Sequence, residues 1–302
     1  MDPDIRILGP LGIPWDALSQ VEELQRRVWG FADRAPCYPA RLYQVQARIG
    51  GLPLVALAGG EAVGFLLTLA AFDGEGPYLW SQIMGVAPER QGRGIARALK
   101  WRQREEALKK GVRRVEWTFD PLQARNSLFN LGLLAARGVA YEREVYGGAG
   151  GPLYALPADR VRVRWDLESR WVREAAEGRP RSWEEETRGA PLVLWAGKDG
   201  EGREGGPAFD LGRDEDYLLL RIPSSIQDLL AREDRGEGLP PRERYPLGWA
   251  WRMASRKVLE CYLGGGWRLA GAFRREGGGG EETYQVLERG GPSGKDVKTR
   301  SS

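Results

Sequence analysis

Residues 86–97 read Val-Ala-Pro-Glu-Arg-Gln-Gly-Arg-Gly-Ile-Ala-Arg, and they are the most informative part of the chain. An apolar segment typical of a strand, Tyr78 to Val86, comes before it, and a helical pattern follows it to about Lys110. Glycines at the start of a helix leave backbone N–H groups uncovered. Those groups, together with the positive end of the helix dipole, can bind a pyrophosphate. The stretch is neither the dinucleotide fingerprint G-x-G-x-x-G nor a P-loop, because no G-K-S/T follows.

The spacing matches the Q/R-x-x-G-x-G/A loop of the GNAT N-acetyltransferase superfamily, with Gln91, Gly94 and Ala96 at the three defining positions. A plain strand-to-helix turn with glycine at positive φ is the simpler interpretation, but it needs neither Gln91 nor two spaced glycines. The flanking residues also follow the superfamily pattern V-x-P-x-x-Q-G-x-G-I-G/A-x-x-L. The matching positions are Val86, Pro88, Gln91, Gly92, Gly94, Ile95, Ala96 and Leu99. The chain resembles this superfamily, whose members bind acetyl-coenzyme A at the loop.

Hydrophobic periodicity over residues 1–167 predicts the element order β-α-α-β-β-β-α-β-α-β-β, which is the order of the GNAT fold. The predicted strands are 5–8, 52–58, 62–72, 78–86, 112–119, 139–146 and 161–167, and the predicted helices are 15–30, 39–49, 95–110 and 125–136. The resemblance implies an α/β (α+β) fold, a GNAT acyl-CoA N-acyltransferase fold with a mixed, mostly antiparallel sheet and flanking helices. We expect residues 1–167 to form a GNAT-like acetyl-CoA-binding domain.

Residues 168–290 differ from the first part because they begin with a charged stretch that lacks long apolar runs. Strands are predicted at 191–196, 217–222, 267–273 and 283–287, a helix from Pro223-Ser224-Ser225, and a longer helix at 244–263. A strand that ends at Ile222 and leads into a helix repeats the first half, without a second glycine loop. One hypothesis is a degenerate second GNAT-like α/β half. The other is an unrelated α+β lid or dimerisation domain. Residues 291–302 are rich in Gly, Ser and Lys, and we expect a disordered tail.

Composition describes an ordinary globular protein of 302 residues, 42% hydrophobic and 29% charged, with a formal net charge of +3. This balance gives no case for nucleic acid as a partner. No apolar run approaches the roughly 18 residues of a membrane span, and no signal-peptide pattern opens the chain. The absence of histidine excludes triads built on it, and Cys37 and Cys261 form no metal-ligand cluster, so no metal is expected. We expect a cytoplasmic protein with reduced thiols.

Arginine outnumbers lysine, Asn126 and Asn130 are the only asparagines, and proline and charged residues are frequent. This composition fits a thermophile, although a GC-rich genome would produce the same arginine bias.

A second resemblance rests on residues 117–126, which read Trp-Thr-Phe-Asp-Pro-Leu-Gln-Ala-Arg-Asn, with Leu99 to Arg104 before them and Tyr146-Gly147 after them. Together they look like a largely uncharacterised bacterial GNAT-like family with the signature W-T-F-D-P-L-x-x-x-N, and the likeness extends more loosely over residues 157–165 and 245–263. That family often has a histidine in a Y-L-H-S strand, where this chain has Trp80. A histidine role therefore does not transfer, and the resemblance supplies no substrate.

The GNAT resemblance implies a set of cofactor-binding residues. The backbone of the pre-loop strand would bond pantetheine, and an amide there would polarise the thioester carbonyl, whereas the loop amides would hold the pyrophosphate. Arg90, Arg93 and Arg97 could add charge, although each could equally be a solvated surface cation. Asn126 would open the next helix and contact the cofactor. A simpler role is the N-cap of that helix, and the two roles are compatible. The set is Met84, Gly85, Val86, Gln91, Gly92, Arg93, Gly94, Ile95, Ala96, Arg97 and Asn126.

Amine acetylation also needs a general base within reach of the amine. The pre-loop strand offers only Ser81 and Gln82, but Glu116, Thr118 and Asp120 share one face of the next strand. Asp120 precedes Pro121 at the strand end and is one candidate base, with capping of a turn or helix as the alternative role. Glu116 is the other candidate, and it could instead pair with an arginine on a surface.

Many GNAT enzymes carry a tyrosine general acid in an L-Y-x-K-x-G-F pattern, and the corresponding position here is Leu131. Tyr141 or Tyr146 could substitute, although a strand tyrosine is more often a core aromatic.

The leading hypothesis is therefore an acyl-CoA-dependent N-acetyltransferase that moves an acetyl group from acetyl-CoA to an amine of a small molecule or peptide by direct attack in a ternary complex. The alternative is a non-catalytic acyl-CoA-binding sensor or scaffold. A homodimer is left open. An interaction protein without CoA binding is disfavoured by the intact loop.

Overall fold

The computed structural model describes residues 4–146, 155–198, 204–277 and 280–290. The strands are β1 (Ile5–Leu8), β2 (Leu54–Ala58), β3 (Glu61–Asp73), β4 (Gly76–Val86), β5 (Arg114–Phe119), β6 (Arg137–Glu142), β7 (Arg160–Asp166), β8 (Leu192–Lys198), β9 (Glu204–Phe209), β10 (Tyr217–Ile222), β11 (Arg268–Gly277) and β12 (Gly280–Glu288). The α-helices are α1 (Trp15–Trp29), α2 (Ala40–Ile49), α3 (Ile95–Lys109), α4 (Ala124–Ser127), α5 (Arg170–Ala176), α6 (Trp183–Glu186), α7 (Ile226–Glu233), α8 (Pro241–Arg244) and α9 (Pro246–Gly264).

The chain forms two compact units, and each is built from two separate segments. Unit 1 comprises Met1–Trp117 and Arg164–Ala176, and unit 2 comprises Thr118–Val163 and Glu177–Ser302. The division passes through β5 and β7, so each of these strands contributes residues to both units. The boundary at residue 167 drawn from the sequence, and the idea of a degenerate second half, stay predictions.

In unit 1 the strands follow the order β1-β2-β3-β4-β5. The first four are joined by antiparallel pairing, and β4 pairs with β5 in parallel. Alternation of side chains along β2 and β3 gives the sheet two apolar faces. On one face Val55 and Phe65 pack with residues of α1 and α2, and on the other Leu54 and Leu66 pack with Ile95 and Leu99 of α3. The helices thus cover both faces of this sheet.

The β3–β4 pairing contains an irregularity that no sequence pattern revealed. Leu67 pairs with Ile83, but the next residue of β3, Thr68, pairs with Ser81. Gln82 is therefore an extra residue on β4, which is the definition of a β-bulge. A bulge leaves its extra residue out of the ladder, bends the strand and redirects its side chain.

In unit 2 the strands follow the order β6-β11-β12-β10-β8-β9. Each neighbouring pair is antiparallel except β10 and β8, which are parallel.

The start of α7 is as the sequence predicts, because the Ser225 side chain accepts a hydrogen bond from the Asp228 N–H and so caps the helix.

The element order predicted for residues 1–167 is confirmed, whereas several boundaries were wrong. The helix predicted at 125–136 is α4 followed by a π-helical stretch, Leu128–Leu133. Gly132 lies in that stretch, where a Cβ would come within 2.7 Å of the Ala272 carbonyl oxygen, so glycine permits a close backbone approach. The helix predicted at 244–263 is confirmed as α9, which begins two residues later because Pro246 occupies its first position.

Several short elements of the second half were not predicted from the sequence. The charged stretch after residue 168 contains α5 and α6, and β9 had not been predicted. The strand predicted at 139–146 begins at Arg137 and ends at Glu142. The tail predicted to be disordered, residues 291–302, lies outside the described residues.

Candidate active site

The glycine loop connects β4 to α3 in unit 1. Gly92 and Gly94 have φ angles of 77° and 81°, and Gly94 caps the N-terminus of α3. A Cβ on either glycine would meet no atom within 4 Å. The left-handed backbone is therefore what requires glycine here, because L side chains rarely adopt it.

The loop presents a positive, uncovered surface. Gln91, Gly92, Arg93, Gly94 and Arg97 are exposed, and the first turn of α3 contains no acidic residue. Within the described ranges, neither Arg93 nor Arg97 takes part in an ion pair. Free cations beside the open N-terminus of a helix favour an anionic ligand.

Two contacts hold this loop against the sheet. The Gln91 side-chain Nε2 donates a hydrogen bond of 3.3 Å to the Val86 carbonyl, which closes the loop onto the end of β4. Ile95 is buried against Gly64 of β3, where a Cβ would lie 2.9 Å from the Ile95 Cγ2. The absent side chain at Gly64 therefore lets the N-terminus of α3 approach the sheet closely.

Beside the loop, β4 continues beyond its pairing with β5. The parallel pairs are Leu79–Val115 and Trp80–Glu116, and β4 runs on to Val86. The bulge residue Gln82 lies in this continuation, together with Met84, Gly85 and Val86, for which the sequence predicts backbone contacts to pantetheine. We call the point where the pairing ends, after Trp80 and Glu116, the fork.

A chain of side-chain hydrogen bonds converges on the bulge. Trp80 Nε1 donates to Gln82 Oε1 at 2.8 Å, and Gln82 Nε2 donates to the Tyr38 hydroxyl at 2.6 Å. Gln25 of α1 in turn bonds both the N–H and the carbonyl of Tyr38, at 2.8 Å and 2.9 Å. Tyr38 was not among the residues predicted from the sequence, because it belongs to no motif and no periodic face.

Glu116, a predicted candidate base, is buried in unit 1. Its Oε1 lies 3.6 Å from Arg114 Nη1, and Arg114 also donates to Asp73 Oδ1 at 2.7 Å. The Arg114 guanidinium stacks over the Tyr78 ring at 4.4 Å from the centroid. Glu116 thus has the arginine partner that its alternative role predicted, although the pair is buried rather than on a surface.

Asp120, the other candidate base, is buried in unit 2. Its Oδ1 accepts the Leu122 N–H at 2.9 Å, and its Oδ2 accepts a hydrogen bond from Arg252 Nη2 at 2.7 Å. The first contact is the turn-capping role, and the second is an ion pair that no sequence pattern indicated.

Tyr141 lies in the same unit and donates its hydroxyl hydrogen to Asp159 Oδ2 at 2.7 Å. Burial raises the pKa of Tyr141 above its ordinary value. Tyr146 shares a 3.1 Å hydrogen bond with the Thr118 hydroxyl, and Leu131 is buried.

Asn126 does not cap α4, since the N-cap is Gln123 and Asn126 lies inside the helix. Its Nδ2 donates to Gln123 Oε1 at 2.9 Å. The N-cap role expected for Asn126 was therefore wrong. The loop residues and Glu116 belong to unit 1, whereas Asp120, Asn126 and Tyr141 belong to unit 2.

Two other kinds of site find no support in the described part of the chain. No helix there is long and apolar enough to cross a membrane. In the same ranges, no group of three or more Cys, Asp or Glu side chains could hold a metal ion.

The solved structures that are similar to this chain include several acetyltransferases. The ribosomal-protein-S18-alanine N-acetyltransferase of Escherichia coli is 17% identical, with 55% of this chain and 95% of that chain covered and a TM-score of 0.41. YncA of Salmonella typhimurium, a putative acetyltransferase solved with its cofactor acetyl-CoA, is 18% identical. The match covers 55% of this chain and 95% of that chain, with a TM-score of 0.44. Arabidopsis thaliana Naa50, in complex with the bisubstrate analogue CoA-Ac-MVNAL, is 15% identical. The match covers 53% of this chain and 97% of that chain, with a TM-score of 0.43.

No curated protein matches the chain. Residues 18–133 match the model of the acetyltransferase (GNAT) family. This range contains the glycine loop, both strands of the fork, most of α1, and the helices α2 and α3. The predicted fold class is confirmed, with its mixed, mostly antiparallel sheet and flanking helices. Residues 18–133 are therefore similar to the acetyltransferase (GNAT) family, whose model they match.

Proposed function

We propose that the glycine loop binds acetyl-CoA and that the protein transfers the acetyl group to an amine by direct attack in a ternary complex. The observation that carries this proposal is the loop geometry. Gly92 and Gly94 expose the N-terminus of α3, and Arg93 and Arg97 stand beside it without ion-pair partners among the described residues. The match of residues 18–133 to the acetyltransferase (GNAT) family model supports acetyl transfer in general.

The loop and the fork would share the work of holding the donor. The amides that follow Gln91 and the two arginines would bind the pyrophosphate, and the β4 backbone from Met84 to Val86 would bond pantetheine. The thioester would then reach the fork beside Gln82. A bulge leaves its extra residue out of the ladder, so the Gln82 N–H is a suitable donor to polarise the thioester carbonyl.

The acceptor must arrive as a neutral amine, because only a free electron pair can attack the thioester carbonyl carbon. Positioning of the two reactants in the ternary complex supplies much of the rate. Gln82 and Tyr38 form a polar pair at the bulge, and we propose that they orient the amine. Asp120 and Glu116 remain the candidate bases, and each would have to act from within its contact to an arginine.

These arginine contacts also favour the second candidate function, a non-catalytic acyl-CoA-binding sensor or scaffold. Asp120 is bonded to Arg252 and Glu116 lies beside Arg114, so neither carboxylate is poised as a solvated base. The usual tyrosine position holds Leu131, and the raised pKa of Tyr141 makes its hydroxyl a weaker acid.

Calorimetric titration tests the shared premise of both functions. The purified protein is titrated with acetyl-CoA, with CoA, with a longer acyl-CoA, and with acetylpantetheine, which lacks the pyrophosphate. We expect acetyl-CoA and CoA to bind and acetylpantetheine to bind at least about a hundredfold more weakly, which corresponds to roughly 3 kcal/mol. Equal affinity for acetylpantetheine would remove the loop assignment.

Turnover then separates the two functions. Acetyl-CoA is incubated with the protein and a panel of small amines and peptides, and release of the CoA thiol is followed with a thiol reagent. Thiol release that depends on one class of amine supports the transferase and identifies its acceptor. Tight binding without release from any amine would support the sensor.

A further inference from the structure

Lys100 is a buried lysine that the proposed mechanism has not used. It lies on α3 and is 2% exposed. Its Nζ lies 3.3 Å from Ser81 Oγ, 3.6 Å from the centroid of the Trp117 ring and 5.2 Å from that of Trp165. Lysine is almost never fully buried unless it is paired. Within the described ranges Lys100 has no ion-pair partner, and a hydroxyl and two indole faces are what surround its amine.

The position of this amine coincides with the fork. Trp80 and Glu116 form the last β4–β5 pair, so Ser81 and Trp117 are the first residues beyond it on their strands. Lys100 Nζ contacts both, and it therefore bridges the two strands at the point where they part. Ser81 also directly precedes the bulge residue Gln82.

The charged side chains of β5 and of the neighbouring turns of α3 do not face the Lys100 amine. Arg114 and Glu116 alternate with Trp117 along β5, so they point to the opposite face of that strand. On α3, Arg97 is exposed and Arg104 donates its Nε–H to the Leu167 carbonyl. Burial alone therefore decides the ionisation of Lys100, and it holds the pKa of this amine well below its usual range.

We propose that Lys100 and Ser81 form the proton route to the leaving thiolate of CoA, an inference that rests on the proposed acetyl transfer. When the carbon–sulfur bond of the thioester breaks, its electron pair goes to sulfur. Ser81 Oγ–H gives its proton to that sulfur, and the Lys100 ammonium restores the proton on Ser81 Oγ. The attacking amine, which forms the new carbon–nitrogen bond, loses one proton to the surroundings, and Lys100 regains one from them. The products are the acetylated amine and CoA thiol.

The chemistry of both groups suits this route. Lys100 donates to Ser81 Oγ, so the hydroxyl hydrogen of Ser81 is free to point at another acceptor. An ordinary lysine, with a pKa of about 10.4, is a poor acid toward an alkyl thiolate such as that of cysteine, whose thiol has a pKa of about 8.5. The lowered pKa makes the Lys100 ammonium a stronger acid toward the leaving thiolate than an ordinary lysine would be. The indole faces help to hold the cation before it reacts.

The test compares the wild type with Lys100→Met and Ser81→Ala, and Lys109→Met is the control because Lys109 is exposed on the same helix. Calorimetry gives the acetyl-CoA affinity, and thiol release with the best amine of the panel gives turnover against pH. The active form of Lys100 is protonated, so wild-type turnover should fall as pH rises through its pKa. We expect both variants to bind acetyl-CoA normally, to lose roughly 10²- to 10⁴-fold in turnover, and to lose this alkaline decline.

A purely structural role for Lys100 would change the melting temperature or the affinity and leave the alkaline decline in place. If the wild type releases thiol and both variants keep its turnover and its pH profile, the proton route is overturned and the transferase stands. If Lys100→Met does not fold, Ser81→Ala decides the question alone. If the wild type binds no acetyl-CoA, or binds it without thiol release from any amine, the transferase proposal itself fails and the route falls with it.

Discussion

The side chain of Gln82 donates a 2.6 Å hydrogen bond to the hydroxyl of Tyr38, which lies 44 positions earlier in the chain. Gln25 holds the backbone of Tyr38 on both sides, so the segment between α1 and α2 is fixed to the bulge of β4. Gln82 therefore has two roles, as the extra residue of the bulge and as the residue that holds this loop. It sets the position of a hydroxyl group at the site where we propose that the amine is oriented.

The stability contribution of this hydrogen bond can be measured against a neighbouring tyrosine. Tyr38→Phe leaves Gln82 Nε2 without its acceptor and should lower the free energy of unfolding by about 1 kcal/mol. Tyr43→Phe is the matched control, because the Tyr43 hydroxyl is fully buried and has no hydrogen-bond partner in the described ranges. That variant should be neutral or slightly stabilising. Urea unfolding of both proteins checks the pair, and an equal loss in both would contradict the role of the hydroxyl at Tyr38.

The glycine loop makes a prediction about ligand binding that separates charge from backbone strain. Gly94→Glu places a carboxylate where the pyrophosphate is expected, and we expect acetyl-CoA affinity to fall more than about a hundredfold. Gly59→Glu is the control, because Gly59 also has a positive φ, of 57°, and lies in open space in the β2–β3 turn. It should carry similar strain and keep the affinity. Calorimetric titration of the correctly folded variants measures their acetyl-CoA affinity. Unchanged affinity in Gly94→Glu would remove the loop from the binding site.

The ion pair of Asp120 predicts a stability effect before any catalytic one. Asp120→Asn keeps an acceptor for the Leu122 N–H but leaves the Arg252 guanidinium buried without its counter-charge. We expect a loss of roughly 3 kcal/mol or more in unfolding free energy, and the double variant Asp120→Asn, Arg252→Met should recover part of it. Chemical denaturation measures both. A variant with wild-type stability and strongly reduced thiol release would instead assign Asp120 as the general base.

The pH dependence of stability is expected to report on Asp159. Burial raises the pKa of this carboxyl, but hydrogen bonds from Arg256 and Tyr141 outweigh it and hold the pKa below its ordinary value. A depressed folded-state pKa adds stability above the unfolded-state value, which is about 3.9, and this stability is lost as pH falls through the folded value.

Asp159→Asn should therefore destabilise the protein by roughly 3 kcal/mol at neutral pH, and the difference from the wild type should shrink below about pH 4. Glu144→Gln serves as the control, because the exposed Glu144 carboxylate lies 3.8 Å from the same Arg256. Urea unfolding from neutral to acid pH measures both. A difference that stays constant with pH would show that the charge of Asp159 contributes nothing.

Local signals in the sequence predicted the local part of this structure well. Apolar periodicity predicted the order of strands and helices up to residue 167, and the glycine spacing indicated a helix start with two left-handed residues, Gly92 and Gly94. The run Pro223-Ser224-Ser225 likewise predicted the start of α7, whose N-cap is Ser225. The glycine and capping signals act over fewer than about five residues, and apolar periodicity acts within a single helix or strand.

The features that were missed depend on residues far apart in the chain. The Arg252–Asp120 pair spans 132 positions, and the Gln82–Tyr38 contact spans 44. The bulge at Gln82 appears only when β3 and β4 are aligned, since neither strand carries a proline or glycine at that step to mark it. The sequence gives no sign that Lys100 is buried, because it lies among other charged residues of α3 and its burial depends on distant packing partners.

The division of the chain into two units has a practical consequence for anyone who wishes to produce them separately. The chain passes from one unit to the other after Trp117, after Val163 and after Ala176. No single truncation point yields either unit whole, and a stop codon after Trp117 would end the product inside β5. Residues 118–163 belong to unit 2, although the gene encodes them between the two segments of unit 1. Expression of unit 1 alone would therefore require a designed linker that joins residue 117 to residue 164 in place of that insertion.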